Sequence, residues 1–284
     1  MNEVKYDQPA AEYHAFPALN KSSIEQILRC PLEYRLNCDM GPAEPTASMA
    51  FGTLVHSMIL EPDTVESLYH VMSQPATTKA GKAEKAEALE QGKTIVSASD
   101  YERAQAMQRN VFTHKAGSFL VGRLPGKSEV SMYWDLETED GRTRQCKARA
   151  DRIAQINGKQ IIIDLKTHAG SVSLPEIERT IMKYGYHRQS GWYQEGYAKC
   201  FPDIPFGGFY FVFTSTTAPY LCTVVKIDDE ASAIGYGDCL RAERTLAECE
   251  ESGVWPSYAD EIVEVGLPPW AYKQAMEDNG IVRY

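Results

Sequence analysis

Apolar residues along the first part of the chain recur at helical spacing. Ser22 and Glu25 form the Ser-x-x-Glu pattern of a capping box, and Ile24, Ile27 and Leu28 follow on one face, so a helix is expected from Ser22. Pro31 ends or kinks it. The polar, proline-bearing residues 1–20 read as an arm, and Gly41, Pro42 and Pro45 mark a loop. Phe51, Leu54, Val55, Met58 and Ile59 share a face of a helix over about 49–60. Residues 75–95 are rich in Lys, Ala and Glu, contain Gly81 and Gly92, and read as a mobile, partly helical insertion. A further helix is expected over 98–116, opening at Ser99 or Asp100.

From residue 129 the period changes to two. Residues 129–135 and 145–156 alternate, Asn157-Gly158 turns the chain, and 160–166 form a strand whose three consecutive isoleucines suit a buried central position. A helix over about 187–200 follows, then strands 207–215 and 220–227, an acidic helix over about 229–251, and an irregular tail over 253–284. The pattern is that of one α+β domain with an inserted helical stretch. Its expected bounds are an arm over 1–20, a domain over 21–272 with a basic insertion near 75–127, and a C-terminal tail over 273–284.

Charge changes this picture little in sum and more in distribution. The net charge of −10 argues against a polyanionic partner, yet residues 75–127 carry +4 and residues 228–284 carry −9. A nucleic acid is therefore permitted if folding segregates the two. Apolar runs fall short of the roughly 18–20 residues a membrane span needs, and no signal-peptide pattern precedes the first acidic residues. Seven widely spaced cysteines suit reduced thiols better than a disulfide framework, so a cytoplasmic protein is expected.

The candidate chemistry lies on two strands. Asp164 and Lys166 are two apart and project from one face, and Asp151 lies on the preceding strand of the hairpin. Carboxylates held together disfavour ionisation unless a cation joins them. A hard divalent ion such as Mg²⁺ suits carboxylate and carbonyl oxygens, and a lysine beside it can hold a water. A surface ion pair between Asp164 and Lys166 is the plainer alternative, worth about 0–1 kcal/mol. Against it stands the apolar run Ile161-Ile162-Ile163, which leads into Asp164.

The stretches ADRI (150–153) and IIIDLKTH (161–168), with Gln189 and Tyr193 at i, i+4 in YGYHRQSGWY (184–193) and His56 in GTLVHSMILEP (52–62), resemble the PD-(D/E)XK nuclease superfamily. Within its RecB-like branch the order is similar to exonucleases of the exodeoxyribonuclease VIII (RecE) type, over roughly residues 13–272. The resemblance implies a central mixed sheet flanked by helices and Mg²⁺-dependent hydrolysis of linear double-stranded DNA. It further implies 5′ to 3′ polarity, leaving 3′ single strands for recombination.

By the same resemblance, His56, Glu129, Asp151, Asp164 and the Leu165 carbonyl are metal ligands. Lys166 orients the attacking water, and Gln189 and Tyr193 orient Lys166 and contact the scissile region. Mn²⁺ should substitute for Mg²⁺, because an imidazole ligand suits transition metals. Lys21, Ser22 and Ser23 at a helix N-terminus suit a 5′ phosphate, and Lys79, Lys82 and Lys85 suit a DNA backbone. A plain helix cap and a solvated lysine-rich face explain these two groups equally well. A homo-oligomeric ring, with a tetramer as the expected size, and a single-strand annealing recombinase of the RecT type are the implied partners, with no membrane.

Two other classes stay open: a RecB-type endonuclease or single-strand nuclease using the same site, and a catalytically silent DNA-binding scaffold. Cys30 beside Pro31 resembles the segment of RecB-type nucleases that carry an iron–sulfur cluster, but Cys222, Cys239 and Cys249 lack the matching close spacing. His187 reads as an ordinary exposed histidine.

Overall fold

The computed structural model describes residues 2–41, 44–139 and 141–278. Pro42, Ala43 and the end of the expected tail, 279–284, lie outside the described residues. Among the described residues the strands are β1 Glu3–Lys5, β2 Tyr69–Val71, β3 Thr94–Val96, β4 Gly126–Glu137, β5 Thr143–Ile156, β6 Lys159–His168, β7 Phe206–Ser215 and β8 Cys222–Lys226. The helices among them are α1 Ala10–Ala15, α2 Lys21–Arg29, α3 Pro31–Met40, α4 Ala47–Leu60, α5 Val65–Leu68, α6 Lys79–Glu90, α7 Ala98–Thr113, α8 Lys115–Gly117, α9 Leu174–Lys183, α10 Tyr186–Cys200, α11 Asp229–Ser252 and α12 Pro269–Asp278.

Six strands form one mixed sheet in the order β1-β4-β5-β6-β7-β8. Only β6 and β7 run parallel, because α9 and α10 carry the chain across between them. The other neighbours are antiparallel. Asn157 and Gly158 both have positive φ, 49° and 75°, which gives the two-residue turn of the β5–β6 hairpin. The alternation of β6 sends Ile162 to one face and Ile161, Ile163 and Leu165 to the other. Helices α2, α10 and α11 cover the first face, where Trp134 and Trp192 meet at 5.0 Å. Helices α4 and α7 cover the second. Both layers are apolar, so β6 is buried on both sides, as its isoleucine run predicts.

Three expectations need correction. Residues expected as a free arm are built into the sheet: Glu3, Val4 and Lys5 pair with Tyr133, Met132 and Ser131, and the Gln8 side chain accepts from the Tyr133 hydroxyl at 2.8 Å. The capping box does not form. Asn20 is the N-cap of α2, its side chain accepting from the N–H groups of Ser22 and Ser23, while Glu25 is taken by Arg188 at 2.8 Å. The insertion is ordered into a small unit in which α6 packs on the parallel pair β2–β3 and Glu84 accepts from His70, Ser73 and Gln74. In addition, Pro31 begins α3 as its first residue, and Pro269–Asp278 is helical within the tail expected to be irregular.

Candidate active site

The site sits in a fork of the sheet. Strands β5 and β6 pair from Ile156↔Lys159 to Arg152↔Ile163, and the ladder ends there. Asp151 and Asp164 are the next residue on each strand, so both carboxylates emerge where the strands part. Across from Asp151, Glu129 takes φ 53° and interrupts the β4–β5 ladder between Ser128↔Arg152 and Val130↔Ala150. A positive φ at a non-glycine residue is costly backbone, and such strain gathers at functional sites.

The two flanking helices complete the group. From α4, His56 Nδ1 lies 3.4 Å from Asp151 Oδ2. From α10, Gln189 donates its amide to Asp164 Oδ2. The Leu165 N–H donates to Asp151 Oδ2 at 2.8 Å, and its backbone also hydrogen-bonds His56. Lys166 Nζ lies 2.5 Å from Asp164 Oδ1 and 4.5 Å from the ring centre of Tyr186. The expected role of Gln189 is thus corrected: it holds Asp164, and Tyr186 is the α10 residue that faces Lys166.

Electrostatics follow from burial. Desolvation, then the Asp151 charge, raise the Glu129 carboxyl to about 7, against the pull of Arg149, whose Nε is 2.7 Å away. Desolvation and Asp164 raise Asp151 as well. Burial disfavours the Lys166 ammonium, but Asp164 outweighs it, and the lysine is held protonated above its usual range. Burial lowers the His56 imidazole in spite of Asp164, which favours its neutral, ligating form. Desolvation also raises the Tyr193 phenol well above its ordinary value.

A carboxyl raised in the fold binds a proton that the unfolded chain has lost. Stability contributed by Glu129 is therefore present below about pH 4.5 and is lost as pH rises through about 7. The metal-free protein is expected to melt lower at pH 8 than at pH 5.5, and added Mg²⁺ should raise the melting temperature at pH 8 far more than at pH 5.5. Thermal melts at the two pH values, with and without Mg²⁺, check this.

A cleft of about 920 Å³ opens beside the fork. Glu129, Asp151 and Tyr193 line it together with Lys21, Ser22 and Ser23. Asp164, Lys166, His56 and Gln189 join through contacts with Asp151 and with one another. Lys79, Lys82 and Lys85 are not brought there: they are exposed on α6 in the separate β2–β3 unit. The expectation of an exposed His187 is corrected: it is buried, and its Nε2 lies 3.6 Å from Asp238. The N–H groups expected to take a phosphate at Ser22 and Ser23 already donate to Asn20, and Lys21 Nζ donates to the Tyr184 carbonyl at 2.9 Å.

Two site residues were not anticipated, though each left a trace. Tyr186 shares a helical face with Gln189 and Tyr193. Arg149 shares a strand face with Asp151.

The donor set suits a hard divalent cation. Asp164 is 1% exposed, and the Lys166 ammonium is the charge that faces its Oδ1. A cation beside it would also relieve the mutual repulsion of Asp151, Asp164 and Glu129. The ligands are not a closed cage, however: among the described residues no three His, Cys, Asp or Glu side chains stand together as one. Lys166 and Arg149 hold two of the carboxylates instead.

Residues 21–265 match the family described as a PDDEXK-like domain of unknown function (DUF3799). The chain belongs to this PDDEXK-like family. No curated protein matches its sequence. Among solved structures, it is similar to a protein from Eubacterium rectale described as a candidate exonuclease, with TM-score 0.63 and 12% identity over 98% of this chain and all of that one. At that identity the likeness concerns the fold. A second structure, SSO0001, reaches TM-score 0.36 at 16% identity over 84% of this chain and 81% of its own, too low to carry an argument. The mixed sheet with helices on both faces is the expected PDDEXK-like fold. No helix among the described residues is long and apolar enough to cross a membrane.

Proposed function

We propose that the protein is a metal-dependent nuclease that hydrolyses DNA phosphodiesters in the fork between β5 and β6. The observation that carries this reading is the buried Asp164 carboxylate held beside a protonated Lys166, where β5 and β6 part next to Asp151 and an open cleft. Asp151, Asp164, Glu129, His56 and the Leu165 carbonyl would hold the cation, with Mg²⁺ as the physiological ion and Mn²⁺ tolerated. When bound, such an ion lowers the pKa of water and neutralises charge on the phosphate and the departing oxygen. The chain's own groups do the positioning. Gln189 fixes the Asp164 carboxylate, Tyr186 confines the Lys166 ammonium, and Lys166 donates a hydrogen bond to water or to a phosphate oxygen. Tyr193 bounds the cleft beside the scissile group.

We further propose linear double-stranded DNA as substrate, digested 5′ to 3′ to leave 3′ single strands that a RecT-type annealing recombinase would take up. The E. rectale protein of similar fold is described as a candidate exonuclease, and end-directed action is proposed here by analogy with it. Digestion of 5′-labelled and 3′-labelled duplex, with and without Mg²⁺, tests the reading. Early release of the 5′ label in Mg²⁺ alone is expected.

Lys21 and the hydroxyls of Ser22 and Ser23 remain the groups suited to a terminal phosphate in this cleft. A 5′-phosphorylated duplex should be cut several-fold faster than its hydroxyl counterpart, and Lys21→Ala should shrink that difference in initial-rate assays. Apolar side chains of the C-terminal segment stand exposed, Ile262, Val265 and Trp270 among them, which supports association of copies into a ring. Light scattering should report a multiple of 31.8 kDa, with four copies expected.

A further inference from the structure

A row of aromatic rings runs from the core to the surface beside the fork, and the proposed chemistry uses only Tyr186 among its members. Phe211 and Phe213 of β7 are fully buried. Tyr186 of α10 lies 5.6 Å from the Phe211 ring centre and 6.1 Å from that of Phe213. Tyr184 stacks on Tyr186 in turn, with ring centres 5.8 Å apart and planes 27° from parallel. Tyr184 is 47% exposed, so the row ends in a ring with surface left for one more partner. The backbone fixes the stack. Tyr184 caps the end of α9, and Gly185 alone separates it from α10. The φ of Gly185 is 63°, left-handed backbone that favours glycine, so the link is a one-residue turn.

Ammonium groups surround the outer two rings. Lys166 Nζ lies 4.5 Å from the Tyr186 ring centre, and Lys183 Nζ lies 5.2 Å from that of Tyr184. Lys21, which borders the cleft, donates from Nζ to the Tyr184 carbonyl at 2.9 Å and lies 5.6 Å from the Tyr186 ring centre. Glu25, the carboxylate beside them, is paired with Arg188 and lies 3.7 Å from Lys21, so its charge is already offset. Single-stranded nucleic acid binds surfaces of this kind, with bases stacked on the rings and phosphates against the cations. An apolar protein surface would instead have to desolvate the Lys21 and Lys183 ammonium groups.

We infer that Tyr184 is a stacking platform for a nucleobase of the strand being cut, so that the protein grips a base near the scissile phosphate as well as the phosphate itself. Two ring contacts, of 5.8 Å and 4.5 Å, link Tyr184 to Lys166. At about 3.4 Å of axis per nucleotide, the stacked base belongs within about three nucleotides of the scissile phosphate. Stacking uses the π-face that all bases share, so the platform accepts any sequence and distinguishes a base from an abasic sugar. The base displaces Lys183 from the ring, and the freed ammonium turns to a neighbouring phosphate. This rests on the nuclease reading above, which puts the scissile phosphate beside Lys166.

The test uses the full chain in Mg²⁺ and 5′-labelled linear DNA whose cut strand carries one abasic nucleotide at successive positions near the labelled end. For the wild-type protein, kcat/KM should fall about fivefold at one of these positions relative to the intact strand, mainly through KM, a loss at the low end for base–aromatic stacking. Tyr184→Ala should cut intact DNA about fivefold less well and lose that position dependence. Tyr184→Leu, which fills much of the space without a π-face, should match it, and Tyr184→Trp should keep the dependence. A general loss of stability would lower both rates and leave the intact-to-abasic ratio in place. Equal ratios for the wild-type protein and Tyr184→Leu at every position would overturn the inference and leave the nuclease reading intact. So would a Tyr184→Ala protein that keeps the base dependence but loses mass in light scattering, which would assign the ring to a contact between copies. A wild-type protein that cuts no DNA would refute the nuclease reading itself, and the inference with it.

Discussion

Asp164→Asn and Lys166→Ala should each lower the rate of DNA hydrolysis by about 10³-fold or more. Losses of this size follow when a group that stabilises developing charge is removed from a preorganised site. Asp164 is enclosed by Gln189 on one oxygen and Lys166 on the other. Asparagine keeps the shape and can still accept from Gln189, but it lacks the charge that would draw a cation to the buried Oδ1 position. The fold should therefore survive while activity does not. Lys166→Ala removes the protonated donor and leaves a carboxylate that is 1% exposed without its counter-charge. Breaking a buried pair in this way is destabilising, by about 3–5 kcal/mol in the strongest cases. Circular dichroism must accompany that variant, and Asp164→Asn is the cleaner measurement. The double variant should be no slower than the worse single one, because the two side chains act as a unit.

The second large effect concerns the ion. Removal of divalent metal with EDTA should abolish hydrolysis, and Mg²⁺ or Mn²⁺ should restore it. The protein's own groups account for the dependence. Three carboxylates share one fork, and two are held above their usual pKa, Glu129 by burial and Asp151, and Asp151 by burial and Asp164, so the site is electrostatically incomplete. His56, held neutral, adds a nitrogen donor that Mn²⁺ accepts more readily than Mg²⁺ does. Ca²⁺ should bind, because the donors are mostly oxygen, yet support little turnover, because its coordination is larger and less strict. Titration calorimetry on the DNA-free protein separates binding from turnover. Asp151→Asn should weaken the binding of all three ions.

Much of the site was legible because it lies on regular elements. A strand with period two puts Asp164 and Lys166 on one face, and the Asn157-Gly158 turn lays the Asp151 strand beside them. Helical spacing brings Gln189 to the same place. What escaped lies in contacts between residues far apart in sequence. Gln8 meets Tyr133, and Lys147 meets Tyr13, Phe16 and His14, across more than 120 positions. A three-residue edge strand such as Glu3–Lys5 also leaves too short a pattern to read. Ser22 and Glu25 matched a capping box, but Asn20 supplied the cap and Arg188, 163 residues away, claimed the glutamate. The lysines of α6 had charge in their favour, and their position in the fold does not follow from charge.

The most direct test of the proposed chemistry is the release of acid-soluble nucleotides from a linear duplex by the purified protein, run beside Asp164→Asn, with Mg²⁺ and with EDTA. Hydrolysis by the wild-type protein in Mg²⁺, with none in EDTA and none by Asp164→Asn in either, is the predicted result. Comparable release by Asp164→Asn, or by the wild-type protein in EDTA, would contradict a metal-dependent site in the fork of β5 and β6.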